Sequence, residues 1–171
     1  GLPRPDFVYP NYGDHGYCKV AIDETSLRYI LAHIDRLTDT LLRLQLWSSL
    51  WNMVRDQQLS SLRYLDLVRA KAPAEHHPEL VESVTANALA ALGRYVPEHL
   101  IEAEAHRFFE AARRALESAP LGDLQKIWAR ALIGAAATTD DVGELARLAD
   151  GVVVIPGLEI DQEMRWAIAA K

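Results

Sequence analysis

The sequence predicts an all-α protein, and three observations support this class. Half of the 171 residues are hydrophobic, mainly alanine and leucine, which favour helices over sheets. Long stretches contain neither glycine nor proline, so little interrupts the helical pattern. Helix-start signals recur about every twenty residues after position 22, as expected for helices joined by short turns. The length is sufficient for one domain with a buried core.

Residues 1–22 differ in composition from the rest of the chain. Glycines and prolines separate two short apolar runs, at residues 7–9 and 17–22. The second run alternates like a half-buried strand, with odd-numbered side chains on one face and even-numbered ones on the other. We therefore predict two short strands joined by a loop, a β-hairpin that requires a larger sheet for stability.

Residues 23–171 have the pattern of a single helical domain. Helix starts are predicted from the residues that favour N-termini, at Asp23 to Ser26, Asp39, Ser60, His77–Pro78, Pro97, Pro120, Asp140 and Asp161. Two segments carry apolar residues at helical spacing, which predicts a buried face for each: Ile101, Ala105, Phe108, Ala112 and Leu116, then Leu124, Ile127, Trp128, Ala131 and Ala135.

These helices favour antiparallel pairs of about forty residues, the size of a HEAT or armadillo unit. We therefore predict a HEAT/armadillo-like α-α superhelix preceded by the short β-hairpin. Because no residue-level repeat relates the pairs, a compact irregular bundle remains the alternative. Residues 151–157 break the series with a run of valines between two glycines. This segment is either a buried extended connector or a loop packed over the helices, and its role is not evident from the sequence.

The six histidines raise the question of a metal site, and His99, Glu102 and His106 form the densest group. The two histidines are separated by two helical turns, or about 10.5 Å of rise, so one helix cannot direct both at the same ion. We instead predict a solvated face with a contact between Glu102 and His106. His76 and His77 are expected in a turn at a helix start. Neither H-E-x-x-H nor H-x-x-E-H occurs.

The sequence contains no other catalytic motif. It has neither the G-x-S-x-G elbow nor a glycine-rich phosphate loop. Cys18 lies in a predicted strand with His15 on the opposite face, so we predict a buried structural thiol. Asp140 and Asp141 are expected to cap a helix, and Glu104 is expected to be exposed to solvent. We assign no catalytic, cofactor-binding or metal-binding residue to this chain.

Aromatic residues form the most conspicuous clusters. Trp47 and Trp51 are one helical turn apart, so their indoles are predicted to stack along one face with Leu44 and Val54. A packing role is the main interpretation, and a wall that contacts a peptide is the alternative. Arg165, which precedes the last tryptophan, is suited either to binding a peptide carboxylate or to pairing with a neighbouring glutamate.

Charge and composition restrict the partners. The formal net charge of −6 is spread along the chain without a basic stripe, which disfavours nucleic acid and anionic lipid. No apolar run approaches the roughly 20 residues of a membrane span, and no leader opens the chain. The single cysteine excludes an intrachain disulfide and favours a cytoplasmic location. The helical pattern is unfinished at Lys171, so we expect part of a longer protein, with some self-association through an exposed apolar end.

Three stretches, in order along the chain, resemble parts of a known family. Residues 11–23 are similar to the N-x-x-x-x-G-Y-Y-R-V-x-Y-D stretch that leads into the C-terminal domain of aminopeptidase N relatives. The matching positions are Asn11, Gly16, Tyr17, Val20 and Asp23. The sequence departs at Cys18, Lys19 and Ile22, changes that we associate with bacterial members.

The other two stretches extend the resemblance over nearly the whole chain. Residues 47–56 resemble the W-x-x-x-W-[DN]-M-V-R-D helix of the bacterial group. Residues 157–166 are similar to its G-L-x-[IV]-D-x-[DE]-[LM]-R-W segment. The chain thus resembles the C-terminal helical domain of a zinc metallopeptidase of the membrane alanyl aminopeptidase type, a gluzincin.

This resemblance implies a division of labour within a longer polypeptide. In that family the zinc, its H-E-x-x-H and distant glutamate ligands, and the G-A-M-E-N loop lie upstream in a thermolysin-like domain. Residues 1–22 then correspond to the end of a small β-sandwich or a linker strand pair. The helical part corresponds to a non-catalytic lid that covers the cleft and limits access of peptide substrates. The implied partner is the upstream catalytic domain, which would hold the zinc.

Two other interpretations remain open on the sequence alone. A free-standing helical-repeat scaffold would bind a protein partner along a concave face, without any peptidase. A ligand-sensing domain of a transcription regulator is a third interpretation, weakened because no basic helix-turn-helix region is evident. A thermolysin-like domain encoded upstream in the same reading frame would favour the peptidase.

Overall fold

A computed structural model describes residues 5–171 of the chain. These residues form eight α-helices and short 3₁₀ turns, and they contain no β-strand. The predicted all-α class is therefore confirmed. The helices are α1 (Glu24–His33), α2 (Thr40–Arg55), α3 (Ser61–Lys71), α4 (Pro78–Arg94), α5 (Ile101–Ser118), α6 (Asp123–Ala135), α7 (Thr139–Ala149) and α8 (Gln162–Ala169).

Side-chain caps explain where four of the eight described helices begin, namely α1, α2, α7 and α8. The carboxylates of Asp23, Asp39 and Asp161 accept hydrogen bonds from backbone amides in the first turns of α1, α2 and α8, as predicted. Three predicted starts are shifted. Helix α5 begins at Ile101, because a 3₁₀ turn at Glu98–Leu100 follows Pro97. Helix α6 begins after Gly122, at φ 109°, rather than at Pro120. The N-cap of α7 is Thr138 rather than Asp140, because a hydroxyl at that position completes a capping box with Asp141.

The helices pack in two layers. Successive even-numbered helices α2, α4, α6 and α8 contact one another, and α3 contacts α5 in the second layer. Neighbours along the chain also pair, as α3 with α4, α5 with α6 and α7 with α8. The apolar faces predicted for α5 and α6 lie in the core, with only Ile101 partly exposed. Alternating layers are what a helical-repeat stack requires, while the curvature of a superhelix stays a prediction.

The predicted β-hairpin is wrong within the described residues, and residues 1–4 of that segment lie outside them. No ladder joins residues 7–9 to residues 17–22. The side chain of Asn11 instead closes a turn, since it accepts from Gly16 N and donates to Gly16 O, both at 2.9 Å. The predicted alternation does hold around Val20 and Ile22, which are buried between exposed neighbours. A lone two-stranded ribbon is marginal, and packing onto helices replaces it.

Polar contacts attach this N-terminal segment to α1 and α2. The backbone amide of Val8 donates to Ser26 Oγ, at 3.0 Å. Tyr9 Oη lies 3.0 Å from Ser49 Oγ. Burial raises the pKa of the Tyr9 phenol. The loop around Asn11 lies over α2, because Gln45 Nε2 donates to the Asn11 carbonyl at 3.0 Å.

Residues 151–157 form an irregular loop between α7 and α8. The buried connector is wrong, because Val152 and Val154 are each more than 70% exposed. The second alternative, a loop packed over the helices, applies only to the last residues of this segment. There Gln125 Nε2 donates to Pro156 O at 3.0 Å, and a Cβ built on Gly157 would lie 2.2 Å from Leu121 Cδ2. Gly157 also has φ +83°, a conformation that favours glycine, whereas the end of the exposed Leu121 side chain has room to move.

Candidate functional site

The predicted histidine face is organised around α7 rather than around a metal. His106 does not pair with Glu102 as predicted; its Nδ1 lies 2.7 Å from Asp141 Oδ1, because the side chain points across to α7. The other Asp141 oxygen accepts from Ala137 N and Thr138 N, both at 3.1 Å. Burial opposes ionisation, but these amides and His106 together keep the pKa of Asp141 below its ordinary value.

The remaining histidines do not assemble with these groups. His99, His76 and His77 are exposed, and His77 Nε2 lies 3.1 Å from Thr40 Oγ1 at the start of α2. Among residues 5–171, no three histidine, cysteine, aspartate or glutamate side chains converge as a metal site would require. The part of the chain that the structure describes therefore offers no set of ligands suited to zinc.

The prediction that Glu104 faces solvent is wrong. The residue is 7% exposed and lies between α5 and α3. Arg69 Nη1 donates to one of its oxygens at 2.8 Å, and Arg107 Nη1 donates to the other at 3.0 Å. A buried carboxylate needs such partners to offset its lost hydration. The pairing could not be inferred from the sequence, since Arg69 lies on a helix 35 positions away.

The predicted buried thiol is also wrong, because Cys18 is exposed. Its position follows from the absence of a strand, since the turn at Gly16 directs the chain outward before Val20 returns to the core. Tyr17 beside it is fully exposed. The two residues form part of the surface around the Asn11 turn.

The tryptophans of α2 serve in packing, as the main interpretation held. Trp47 meets Tyr64 edge-to-face with ring centroids 6.3 Å apart, and Trp51 lies 5.8 Å from the same ring. Trp51 also meets Tyr95 edge-to-face at 5.7 Å. Leu44 is 45% exposed and does not join this face, so that detail of the prediction is wrong. The cluster connects α2, α3 and the end of α4.

A buried ion pair beneath this cluster was missed in the sequence. Both oxygens of Glu75 accept from Arg43 Nε, at 3.1 and 3.0 Å, and one also accepts from Trp47 Nε1 at 3.2 Å. Arg43 Nη1 further donates to the carbonyls of Leu37, at 2.7 Å, and Thr38, at 3.2 Å. Arg43 and Glu75 are separated by 32 positions, so no local pattern signals the pair. The network joins the α1–α2 connection to the end of α3.

Among the described residues Arg165 pairs with no glutamate, while its binding of a peptide carboxylate stays a prediction. Its Nη1 donates to Ala149 O at 2.8 Å, so it satisfies a terminal carbonyl of α7. A concavity of about 390 Å³ adjoins it, lined by loop residues that include Val154 and Leu158. Trp166, the next residue, is 70% exposed. The last helix pair thus presents apolar side chains beside this concavity.

The even-numbered layer carries an apolar groove along α6. Two concavities of about 170 and 180 Å³ meet at Arg130, one between α4 and α6 and one between α6 and α8. Leu89, Ile127 and Met164 contribute to the apolar lining. The odd-numbered layer is more polar, because Arg113 pairs with acids on both α5 and α7. The groove also holds the Arg130–Glu163 pair, so ion pairs occur on both layers of the described chain.

The described residues define a two-layered all-α domain. The chain belongs to the family described as the ERAP1-like C-terminal domain, which it matches over residues 7–170. It is also 35% identical over 172 residues to aminopeptidase N of Streptomyces lividans. The resemblance inferred from three motifs is thereby confirmed.

The alignment shows how much of the relative this chain corresponds to. The alignment covers 100% of this chain and 20% of the Streptomyces protein. The chain therefore spans about a fifth of the length of the curated relative it matches. In the described residues, no helix has the length and apolar character needed to cross a membrane.

Proposed function

We propose that this chain is the non-catalytic C-terminal lid domain of a zinc aminopeptidase that removes amino-terminal residues from peptides. The observation that carries the proposal is the family match over residues 7–170 together with an aligned relative named aminopeptidase N. The longer polypeptide supplies the chemistry, and this domain covers the catalytic cleft and limits which peptides enter. A cytoplasmic location belongs to the same proposal.

The zinc is assigned to the upstream part of the polypeptide. Family resemblance implies the metal, and among the described residues no three histidine, cysteine, aspartate or glutamate side chains converge as zinc ligands would. The contribution of this chain is therefore shape and surface rather than ligands. Its stable core, with the Glu75 network under the α2 aromatics, suits a rigid wall beside a cleft.

The apolar groove along α6 supports a face that lies against other parts of the enzyme or its substrate. Leu89 is partly exposed in this groove, and Ala86 and Ala167 are exposed, so contact with another surface would remove them from water. Exposed Val152, Val154 and Trp166 likewise support contacts beyond this chain, including weak self-association. Light scattering of a concentrated sample tests the proposed self-association, and a clean monomer would contradict it.

We also propose that residues 1–22 complete a small β-sandwich of the longer protein. Residues 19–22 lie outside any helix, alternate in burial and have no backbone hydrogen bonds to other described residues. Such a segment has the free amides and carbonyls that an edge strand offers to a neighbouring sheet. Strong hydrogen-exchange protection of these amides in the complete polypeptide is expected, and rapid exchange there would contradict the assignment.

The proposed function is tested by separating the two parts of the polypeptide. The complete protein should hydrolyse an aminoacyl chromogenic substrate and lose activity when a chelator removes the metal, whereas this chain alone should be inactive. Deleting residues 23–171 from the complete protein should reduce discrimination between short and long peptides. Chelator-sensitive activity of the isolated chain would overturn the division of labour. A reading frame without an upstream peptidase domain would favour the free-standing scaffold.

A further inference from the structure

The α7–α8 pair, residues 139–169, is joined to the rest of the helical stack mainly through the contact of α8 with α6. Helices α5 and α6 approach closely along their length, as do α4 and α6, whereas close backbone approaches of α7 to α5 and α6 are few. The buried apolar side chains of the last pair are Leu145, Leu148, Met164 and Ile168. Segments with few buried apolar contacts open at lower free-energy cost than the core.

The shortest polar contact across the seam between α5 and α7 is made by one carboxylate. Asp141, in the first turn of α7, binds His106 of α5 at 2.7 Å. It also binds two amides of the α6–α7 connection, Ala137 N and Thr138 N. The other polar pair across this seam is longer, with Arg113 Nε 3.7 Å from Glu144 Oε1. Asp141 therefore joins α5, the α6–α7 connection and α7 at one point.

The two sides of the last pair differ in how they meet the stack. A concavity of about 450 Å³ lies between α5 and α7, lined by polar side chains such as His106, Thr139 and Arg147. On the opposite side α8 packs on α6, and Lys171 Nζ donates to Gly134 O at 2.8 Å. The open space beside α7 gives the helix pair room to tilt. The packing of α8 on α6 provides a pivot.

We propose that α7 and α8 move as one hinged unit about the α6–α8 contact, with His106 and Asp141 as the latch. The hinge lies in the connection at residues 136–138. When the latch opens, α7 leaves α5 while Met164 stays in contact with α6. The proposal does not depend on the peptidase function, because it follows from the contacts within this chain.

Hydrogen exchange of the complete natural polypeptide, followed by mass spectrometry, tests the hinge. His106→Ala removes the latch bond and leaves the capping box of α7 intact. Because hydrogen bonds to charged groups contribute about 1.5–3 kcal/mol, amides of α7 and α8 should exchange at least about tenfold faster. Amides of α5 and α6 should be unchanged. His106→Gln keeps a side-chain donor and should restore most of the protection.

A matched control distinguishes the latch from ordinary capping. Asp161→Ala removes the cap of α8, which makes no contact across the α5–α7 seam, and should accelerate only the first turn of α8. Spin labels at exposed positions 102 and 146 should show a longer distance in the His106→Ala protein, while a pair at 63 and 102 should not change. Unchanged exchange in that variant, or faster exchange spread equally over α5 and α6, would overturn the proposal.

Discussion

Removing Glu75 should cost this domain a large part of its stability. The residue is 4% exposed, and its ion pair with Arg43 has 12% and 3% of the two side chains accessible. Glu75→Ala leaves the arginine without its carboxylate and Trp47 without an acceptor. Breaking one side of a buried ion pair typically costs about 3–5 kcal/mol. The bonds from Arg43 to Leu37 O and Thr38 O remain, which places the expectation near 3 kcal/mol.

The effect on thermal unfolding follows from the size of the domain. For 150–250 residues, each kcal/mol shifts Tm by about 2–4 °C, so Glu75→Ala should lower it by roughly 6–12 °C. Circular dichroism with thermal and urea unfolding provides the measurement. Glu163→Ala is the matched control, because Glu163 is 80% exposed and its pair with Arg130 should contribute no more than about 1 kcal/mol. Equal destabilisation by the two variants would refute the reasoning.

Three further outcomes are expected. Because the pKa of Asp141 is lowered in the folded state, its contribution to stability is complete above about pH 4 and is lost as the pH falls through the lowered pKa. Asp141→Asn should therefore flatten the dependence of the unfolding free energy on pH in the acid range, measured by urea titrations. An unchanged dependence would contradict this reasoning. Gly157→Ala should lower the free energy of unfolding by about 1–2 kcal/mol or more, because of the positive φ and the contact with Leu121. In a double-mutant cycle, Leu121→Ala should recover only the part of this loss that comes from the contact. Exposed Cys18 should react with a maleimide at similar rates in the folded and urea-unfolded protein, whereas strong protection would indicate burial.

The helix pattern was predictable because its signals are local. A carboxylate such as Asp39 caps the helix that follows it, and apolar residues three or four positions apart define its buried face. The family motifs also act through short stretches of sequence. Where a start was displaced, as at Asp140, the competing residue Thr138 lies only two positions away, and the choice depends on which side chain reaches the free amide.

The polar contacts were unpredictable because they depend on how distant helices pack. His106 and Asp141 are 35 positions apart, and each has a plausible local partner in the sequence. Only the packing of α7 against α5 determines that they meet. Glu104 and Glu75 were missed for the same reason, since burial next to an arginine on another helix has no signature at short range. The hairpin failed because alternation specifies burial of one face and does not specify a partner strand.

The side-chain amide of Asn11 determines how the turn at Gly16 is held. An amide carries both a donor and an acceptor on one planar group, so Asn11 can bind both the N–H and the C=O of Gly16 as a neighbouring strand would. An aspartate of the same shape would present oxygen to the carbonyl and lose half of that recognition. The turn is thus held by a side chain that imitates main chain, and no isosteric acid can replace it.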